Sequence, residues 1–211
     1  MTVSAFSFFE NMANSTCSQN SVKLAKNSDF SDRDAQFILK YADKSSSVLD
    51  LGSGTGLIVN KIYDKVRRIV VVEPFKSFTD FIVKSDNVEI ANKTFDDFDT
   101  DEQFDLITIF GTMHYFAKED AGKVYKKFRK NLAHGGRLIV KNQFGVTDDV
   151  TIDGWSDELK QNYFAQYRYI GNAESFLESC GYANVRHFDI YPPECNRWEN
   201  THFYAVVAEA V

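Results

Sequence analysis

The stretch Val48-Leu-Asp-Leu-Gly-Ser-Gly-Thr-Gly56 decides the fold of this chain. It completes a short apolar run that is typical of a buried strand, and an amphipathic stretch that is typical of a helix follows it. Glycines at positions 52, 54 and 56 let the backbone turn tightly and approach a ligand without a clash from a Cβ atom. A glycine-rich turn in this context is where α/β folds bind nucleotide-like ligands. The stretch therefore predicts such a site.

The rest of the chain alternates apolar runs with amphipathic stretches, which indicates a parallel sheet with crossover helices. The predicted strands are residues 47–51, 68–73, 88–91, 104–110, 137–142, 185–191 and 202–208. The predicted helices are residues 31–42, 57–66, 76–84, 118–132 and 172–180. Asp34, three residues after Ser31, fits a variant of a capping box at the first of these helices. No repeat or linker interrupts the pattern, so we expect a single domain over residues 1–211.

Composition argues against several classes of protein. The net charge is −6 and the basic residues are scattered, whereas nucleic-acid binders concentrate positive charge, so we expect no nucleic-acid partner. No run reaches the roughly 18 apolar residues of a spanning helix, and the N-terminus lacks the pattern of a signal peptide. Cys17, Cys180 and Cys195 are odd in number and lack a C-x-x-C spacing, which fits free thiols in a cytoplasmic protein. The acidic residues 96–101 lack the Gly and Glu of a calcium loop, so no metal is expected.

Two carboxylates flank the glycine turn and narrow the choice of ligand. Glu73 ends the second predicted strand, where a carboxylate can accept both hydroxyls of a ribose. A dinucleotide fingerprint would place its third glycine at position 57, which is a leucine, so an NAD-dependent oxidoreductase is the disfavoured alternative. Asp50 would oppose a pyrophosphate and suits an ammonium group. We therefore expect a ligand with a ribose, an ammonium group and no phosphate, as in S-adenosylmethionine.

Over about residues 31–208 the sequence resembles the class I S-adenosylmethionine-dependent methyltransferases. The resemblance rests on five features, namely the glycine stretch, Glu73, Phe104-Asp-Leu-Ile, Gly135-Gly136-Arg137-Leu and residues 175–182. It implies a Rossmann-like α/β fold with helices on both faces of a seven-stranded, mostly parallel sheet. In that fold strand seven lies antiparallel between strands five and six, and the last two predicted strands fit this hairpin.

The resemblance also implies how the cofactor is held. Asp50 would hold the methionine amino group, Glu73 the ribose hydroxyls, and Pro74 would lie near the adenine. The remaining implied contacts to S-adenosylmethionine, or to the product S-adenosylhomocysteine, are Gly52, Ser53, Gly54, Gly56, Thr94, Phe95, Asp96, Phe110 and Gly111.

His114 is the candidate catalytic base, because it follows the carboxyl end of strand four, the edge that faces the ligand crevice of a parallel sheet. The alternative is a packing role beside the cofactor. Residues 143–171 form a predicted acceptor lid, and residues 1–30 a predicted cap segment. The predicted acceptor contacts are Asn142, Trp155, Tyr163, Tyr167 and Arg168, with Gln143 as a further candidate and Arg168 suited to an acidic group on the acceptor. The lid aromatics have the alternative of simply covering the sheet.

These observations predict a methyltransferase that acts on a small molecule, with the hydroxyl of a sugar or nucleotide-linked sugar as the preferred acceptor. A protein or peptide acceptor is the alternative within the same class of enzyme. A protein that binds S-adenosylmethionine without catalysis is the alternative from another class.

Overall fold

The computed structural model describes residues 1–15, 18–22, 29–156, 161–196 and 198–210. Its strands are β1 Ser47–Leu51, β2 Arg68–Val72, β3 Val88–Ala91, β4 Phe104–Phe110, β5 Leu132–Gly145, β6 Val150–Ser156, β7 Gln161–Tyr167, β8 Tyr182–Asp189 and β9 Thr201–Ala210. Its α-helices are α1 Val3–Ser15, α2 Ser31–Ile38, α3 Val59–Ile62, α4 Lys76–Thr79, α5 Lys118–Arg129 and α6 Ala173–Ser179. Short 3₁₀ turns cover Gln19–Val22, Tyr63–Lys65, Met113–Tyr115, Ile170–Asn172 and Pro193–Cys195.

Seven of these strands form one sheet in the order β3-β2-β1-β4-β5-β9-β8. The pairs from β3 to β5 are parallel, and β9 runs antiparallel to both β5 and β8. This confirms the predicted fold, including the antiparallel last strand between strands five and six. In the described part of the chain, no helix is both long and apolar enough to cross a bilayer.

Successive side chains of β1 point to opposite faces of the sheet and enter separate parts of the core. Leu49 packs in the cluster that contains Phe128 of α5. Val48 packs in the cluster that contains Phe37 of α2 and Ile62 of α3. Because both faces are covered by helices, β1 is buried along its whole length, as is typical of central parallel strands.

All five predicted helices are shorter than expected, and two of them are reduced to four residues. The helix predicted over 57–66 is α3 followed by a 3₁₀ turn, and the one predicted over 76–84 ends at Thr79. Asn60 accounts for the early end of α4, because its amide donates to the carbonyl of Phe81 at 2.9 Å and accepts from the N–H of Val83 at 2.8 Å. These bonds satisfy backbone groups outside any helix, which stabilises the irregular segment.

The fifth strand is longer than predicted. The expected Gly135-Gly136 turn is part of β5, where the register with β4 shifts between Phe104 and Leu106. Gly135 has φ +74, so the turn-forming residue makes a bulge inside the strand. The strand also continues beyond 142, and its last residue, Gly145, pairs with Thr201 of β9.

The described parts of the predicted acceptor lid and of the predicted N-terminal cap segment both lie over the carboxyl edge of the sheet. Beyond β5, the lid segment contains the antiparallel hairpin of β6 and β7, and residues 157–160 lie outside the described residues. The N-terminal segment contains α1, whose Phe8 ring lies 6.1 Å from that of Tyr163 on β7. Residues 16–17 and 23–28, with Cys17 among them, also lie outside the described residues.

Candidate functional site

A cavity of about 600 Å³ opens at the carboxyl ends of the parallel strands, between α1, α2 and the β6–β7 hairpin. This size is typical of small-molecule sites in proteins. Its wall joins the glycine turn after β1 to the segment after β4, which contains His114. The sheet therefore brings the predicted cofactor and acceptor residues to one edge, as expected for an open parallel α/β sheet.

The glycine turn uses left-handed backbone conformations at all three glycines. Gly52, Gly54 and Gly56 have φ of +78, +53 and +74, a region that disfavours residues with a side chain. A Cβ atom on Gly52 would lie 2.6 Å from Oγ1 of Thr112. Gly52, Ser53 and Gly54 line the cavity, whereas Gly56 lies outside its wall, and a Cβ atom there would lie 2.5 Å from a side-chain carbon of Ile82. Gly56 therefore lets the turn pack against Ile82.

Glu73 lies directly after β2 and lines the cavity, although its residue surface is only 5% exposed. Its Oε2 accepts from the N–H of Gly54 at 3.0 Å, and its Oε1 accepts from the N–H of Phe75 at 3.2 Å. Burial raises the pKa of Glu73 to about 7, and the two backbone hydrogen bonds oppose that rise. The carboxylate thus links the glycine turn to the end of the next strand.

Asp50, the last residue but one of β1, is a second buried carboxylate in the same cavity wall. Burial raises its pKa, while hydrogen bonds from Ser53 and Thr108 act in the opposite direction. The charge of Asp50 also contributes to the raised pKa of Glu73. Two buried carboxylates facing one cavity favour a ligand that brings positive charge and hydrogen-bond donors. The residues present therefore fit the ammonium group and ribose of S-adenosylmethionine.

The residues predicted on the adenine side come from two segments, one after β2 and one after β3. Pro74, Thr94, Phe95 and Asp96 all line the cavity. Lys127 of α5 donates to the carbonyls of Phe95 and Asp96, each at 2.8 Å, and so holds this loop in place. Phe110 and Gly111, predicted to pass beside the cofactor, also line the cavity.

His114 lies in the 3₁₀ turn Met113–Tyr115 and lines the cavity. Its Nδ1 lies 3.2 Å from Oδ1 of Asn142. Since an amide oxygen only accepts hydrogen bonds, this pairing assigns the proton to Nδ1, and a neutral ring then carries its lone pair on Nε2. Asn142 and Gln143 point to opposite faces of β5. As a result Gln143 lines the cavity, while Asn142 lies behind His114 and outside the wall.

The predicted lid residues divide into two groups. Tyr163 and Tyr167 line the cavity, with their hydroxyl oxygens 3.1 Å apart. Trp155 lies outside the cavity wall on the hairpin, with 63% of its surface exposed. The structure therefore brings the two tyrosines, but not the tryptophan, to the cavity in which the acceptor is expected.

Arg168 differs from its expected place. Its guanidinium donates to the carbonyls of Met113 and Phe116 at 2.6 and 2.9 Å, and it lines a separate small cavity instead of the main one. The reason is that the turn after β4 leaves carbonyl groups that need donors. The arginine thus supports the turn that carries His114. In this position Arg168 does not make the expected contact with an acidic group on the acceptor.

Sequence reasoning missed a polar cluster in the cavity formed by Asp34, Lys141 and Tyr191. The sequence predicts Asp34 as a capping residue, but the structure shows no side-chain cap on α2, and Asp34 contacts Lys141 instead. The sequence contains one signal for this cluster. Lys141 is a charged residue inside a predicted buried strand, where charges are rare unless they are paired. Tyr191 reaches this position only through the β8–β9 pairing, which no local pattern reveals.

Residues 48–136 match a family described as a methyltransferase domain. The matched residues include the glycine turn, Glu73 and His114, and they belong to the seven-stranded sheet described above. Together the match and the sheet support a class I S-adenosylmethionine-dependent methyltransferase domain over residues 48–136.

Known proteins of the same kind resemble this chain at low identity. An "uncharacterized methyltransferase" of Staphylococcus carnosus (strain TM300) is 21% identical over 145 residues, which are 64% of this chain and 69% of that protein. Among solved structures, DhpI in complex with SAH has a TM-score of 0.73 at 14% identity and covers 99% of this chain and 98% of its own. The 1,6-didemethyltoxoflavin-N1-methyltransferase of Burkholderia thailandensis has a TM-score of 0.71 at 13% identity and covers 100% and 92%. At these identities the two structures show a shared fold.

Proposed function

We propose that this protein transfers the methyl group of S-adenosylmethionine to a small molecule held in the cavity between the glycine turn and His114. One observation carries the proposal: two buried carboxylates and a histidine whose tautomer is assigned line the same 600 Å³ cavity. The carboxylates suit the donor, and the histidine lies beyond them, where an acceptor has room.

The donor site follows from the contacts described above. Asp50 would bind the ammonium group, and Glu73, fixed by two backbone N–H groups, would accept the ribose hydroxyls. The adenine would lie against Pro74 and Phe95. When bound, S-adenosylmethionine supplies a methyl group that its sulfonium already activates for attack.

The protein has to hold the acceptor in line with that methyl group and exclude water. Aromatic side chains of α1 support this role, because the Phe6 ring lies 5.3 Å from Phe75 and the Phe9 ring 5.0 Å from Tyr115. His114 would take a proton at Nε2 from the attacking oxygen or nitrogen as its bond to the methyl carbon forms. The donor, held by Asp50 and Glu73, would supply the methyl carbon, and the electron pair of its carbon–sulfur bond would leave with S-adenosylhomocysteine.

The cavity wall bears on the kind of acceptor. Lys141 is the sole lysine or arginine among its described lining residues, and it is paired with Asp34 at 3.0 Å. Several carboxylates share the wall, so a diphosphate would meet little positive charge. A nucleotide-linked sugar is therefore less well supported than the sequence suggested, and a free sugar hydroxyl stays a prediction.

The enclosure by α1 and the hairpin favours a small molecule over a peptide. The Burkholderia relative, whose structure contains 1,6-didemethyltoxoflavin, supports the same size class.

The decisive experiment has two stages. Calorimetric titration with S-adenosylmethionine, S-adenosylhomocysteine and NAD should show binding of the first two only. Release of S-adenosylhomocysteine is then measured against a panel of small hydroxyl and amine compounds, with His114→Ala as the matched catalytic control. Binding of NAD in place of the methyl donor would disprove the donor site. Binding of the donor with no turnover on any acceptor, peptides included, would favour a non-catalytic protein.

A further inference from the structure

The cavity contains a second polar cluster that the proposed donor site does not use. Asp34 of α2, Lys141 of β5 and Tyr191 after β8 meet there. Nζ of Lys141 lies 3.0 Å from Oδ2 of Asp34, and the Tyr191 hydroxyl donates to the same oxygen at 2.8 Å. The charges of the pair are therefore balanced within the protein.

Asp34 retains one unsatisfied acceptor. Its side chain is 5% exposed, and its Oδ1 has no hydrogen-bond partner among the described residues. A buried carboxylate oxygen without a donor is unfavourable by an amount comparable with a lost hydrogen bond to a charged group. Asp34 lines the cavity, so a ligand that reaches this oxygen would supply the missing donor.

Lys141 offers the complementary donor. An ammonium group has three N–H bonds, and the described residues engage two of them, through Asp34 and through the Tyr191 hydroxyl at 3.1 Å. Burial, and after it the charge of Asp34, raises the pKa of Tyr191, so this hydroxyl keeps its proton and continues to donate to Asp34. The cluster therefore presents one acceptor and one donor side by side.

Aromatic rings surround this pair. The ring of Tyr191 lies 4.8 Å from that of Phe30 and 5.1 Å from that of Phe203. Nζ of Lys141 lies 5.5 Å from the centre of the Phe110 ring. Flat apolar walls favour a planar ligand, and the balanced ion pair leaves no charge to neutralise a charged one.

We propose that Asp34 and Lys141 anchor the methyl acceptor, and that this acceptor is a flat, uncharged heterocycle with an N–H group beside a carbonyl oxygen. The N–H would donate to Oδ1 of Asp34, and the carbonyl would accept from Lys141. A sugar hydroxyl can make both bonds, but its other hydroxyls would then lie unpaired against aromatic rings, which is unfavourable. The inference rests on the proposed function and deepens it by naming the class of acceptor.

Quinazolinedione and its N,N′-dimethyl derivative are matched probes, because both carry the same rings and carbonyls but only the first has N–H groups. Each is titrated by calorimetry into the protein saturated with S-adenosylhomocysteine. We expect the parent protein to bind quinazolinedione about tenfold more tightly than the dimethyl derivative, as a hydrogen bond to a charged group contributes on this scale.

Two variants test the anchor itself. In Asp34→Asn, Lys141 holds the amide oxygen, so an N–H₂ group replaces the free acceptor and the preference should disappear. The double variant Asp34→Leu with Lys141→Met exchanges the ion pair for apolar side chains and leaves no buried charge unpaired. It should fold, bind S-adenosylhomocysteine like the parent and show no preference between the probes.

Equal binding of the two probes by the parent, no binding of either, or an unchanged preference in both variants would each overturn the inference. A further control compares S-adenosylhomocysteine with methylthioadenosine, which lacks the amino-acid portion. Variants that lose affinity for the first but not the second would show that the cluster holds the donor, and the acceptor role would be wrong. Failure of the parent to bind S-adenosylhomocysteine would instead contradict the proposed function, so the two failures are distinguishable.

Discussion

Nδ1 of His114 lies 3.2 Å from Oδ1 of Asn142, across the ends of the neighbouring strands β4 and β5. Asn142 is itself 3% exposed, so the imidazole is oriented by a side chain that the solvent hardly reaches. The sequence predicts His114 as the candidate base and Asn142 as a contact to the acceptor. The structure instead gives Asn142 a position behind the histidine, from which it would act as a positioning residue.

Replacing His114 by Ala should lower turnover by about 10²–10⁴-fold, the usual contribution of a general base. Affinity for S-adenosylmethionine should stay within about twofold, because the two carboxylates proposed to bind the donor, Asp50 and Glu73, lie on other segments. Single-turnover kinetics and calorimetry measure the two quantities. Normal turnover in this variant would reduce His114 to a packing residue.

The Asn142→Ala variant should lower kcat by about tenfold, since a hydrogen bond of this kind contributes on the order of 1 kcal/mol. KM for the acceptor should change little, because Asn142 does not line the cavity. Asn142→Asp keeps the accepting oxygen and should retain most of the turnover. A rise in KM with unchanged kcat would indicate direct contact with the acceptor instead.

Glu73 should make the stability of the cofactor-free protein depend on pH. Burial raises its pKa from the ordinary 4.5 to about 7, so between these values the folded chain holds a proton that the unfolded chain has released. Its contribution to stability is full below the lower value and is lost as the pH rises through the higher one. A pKa difference of this size corresponds to about 3 kcal/mol.

Urea unfolding of the parent and of Glu73→Gln at about pH 5 and about pH 8 isolates this effect, with an expected extra loss of about 2–3 kcal/mol in the parent. Titration with S-adenosylmethionine at the higher pH should show weaker binding by the variant, by about 1–3 kcal/mol. Parallel loss of stability in both proteins would mean that Glu73 ionises in its ordinary range.

Gly54→Val should abolish donor binding while the fold survives. The residue lines the cavity with φ +53, so a branched side chain strains the turn and removes room for the ligand. Gly135→Val is the matched control, because φ there is +74 and a Cβ atom meets nothing within 4 Å. Circular dichroism and calorimetry should show two folded proteins, of which the control alone binds S-adenosylmethionine. Unchanged affinity in Gly54→Val would reject the turn as the donor site.

Arg168→Met should act through the turn that carries His114. It removes the donors to the carbonyls of Met113 and Phe116, and each buried group left unpaired costs about 1–3 kcal/mol. We expect a lower free energy of unfolding and a lower kcat, with partial rescue by Arg168→Lys. A variant of parental stability whose acceptor KM alone rises would restore the original expectation that Arg168 binds an acidic group on the acceptor.

The boundaries of the predicted elements show where local patterns stop being sufficient. The strands around the glycine turn could be predicted because their apolar runs lie between breakers and are buried whatever the rest of the chain does. The end of α4 could not, because Asn60, about twenty residues earlier, supplies the hydrogen bonds that replace the helix. Similarly, the bulge at Gly135 depends on pairing with β4.

The sequence by itself determined the class of fold and one end of the cavity, where we propose the donor binds. Asp50, the glycine turn and Glu73 lie at strand ends, and parallel strands bring their carboxyl ends to one edge. Only the tertiary structure decided which residues form the other end. Asp34, Lys141 and Tyr191 come from segments far apart in the chain, while Arg168 and Trp155 turn away from the cavity. The physical reason is that side-chain direction there depends on strand register and on which distant backbone groups need partners, and neither is encoded in a local pattern.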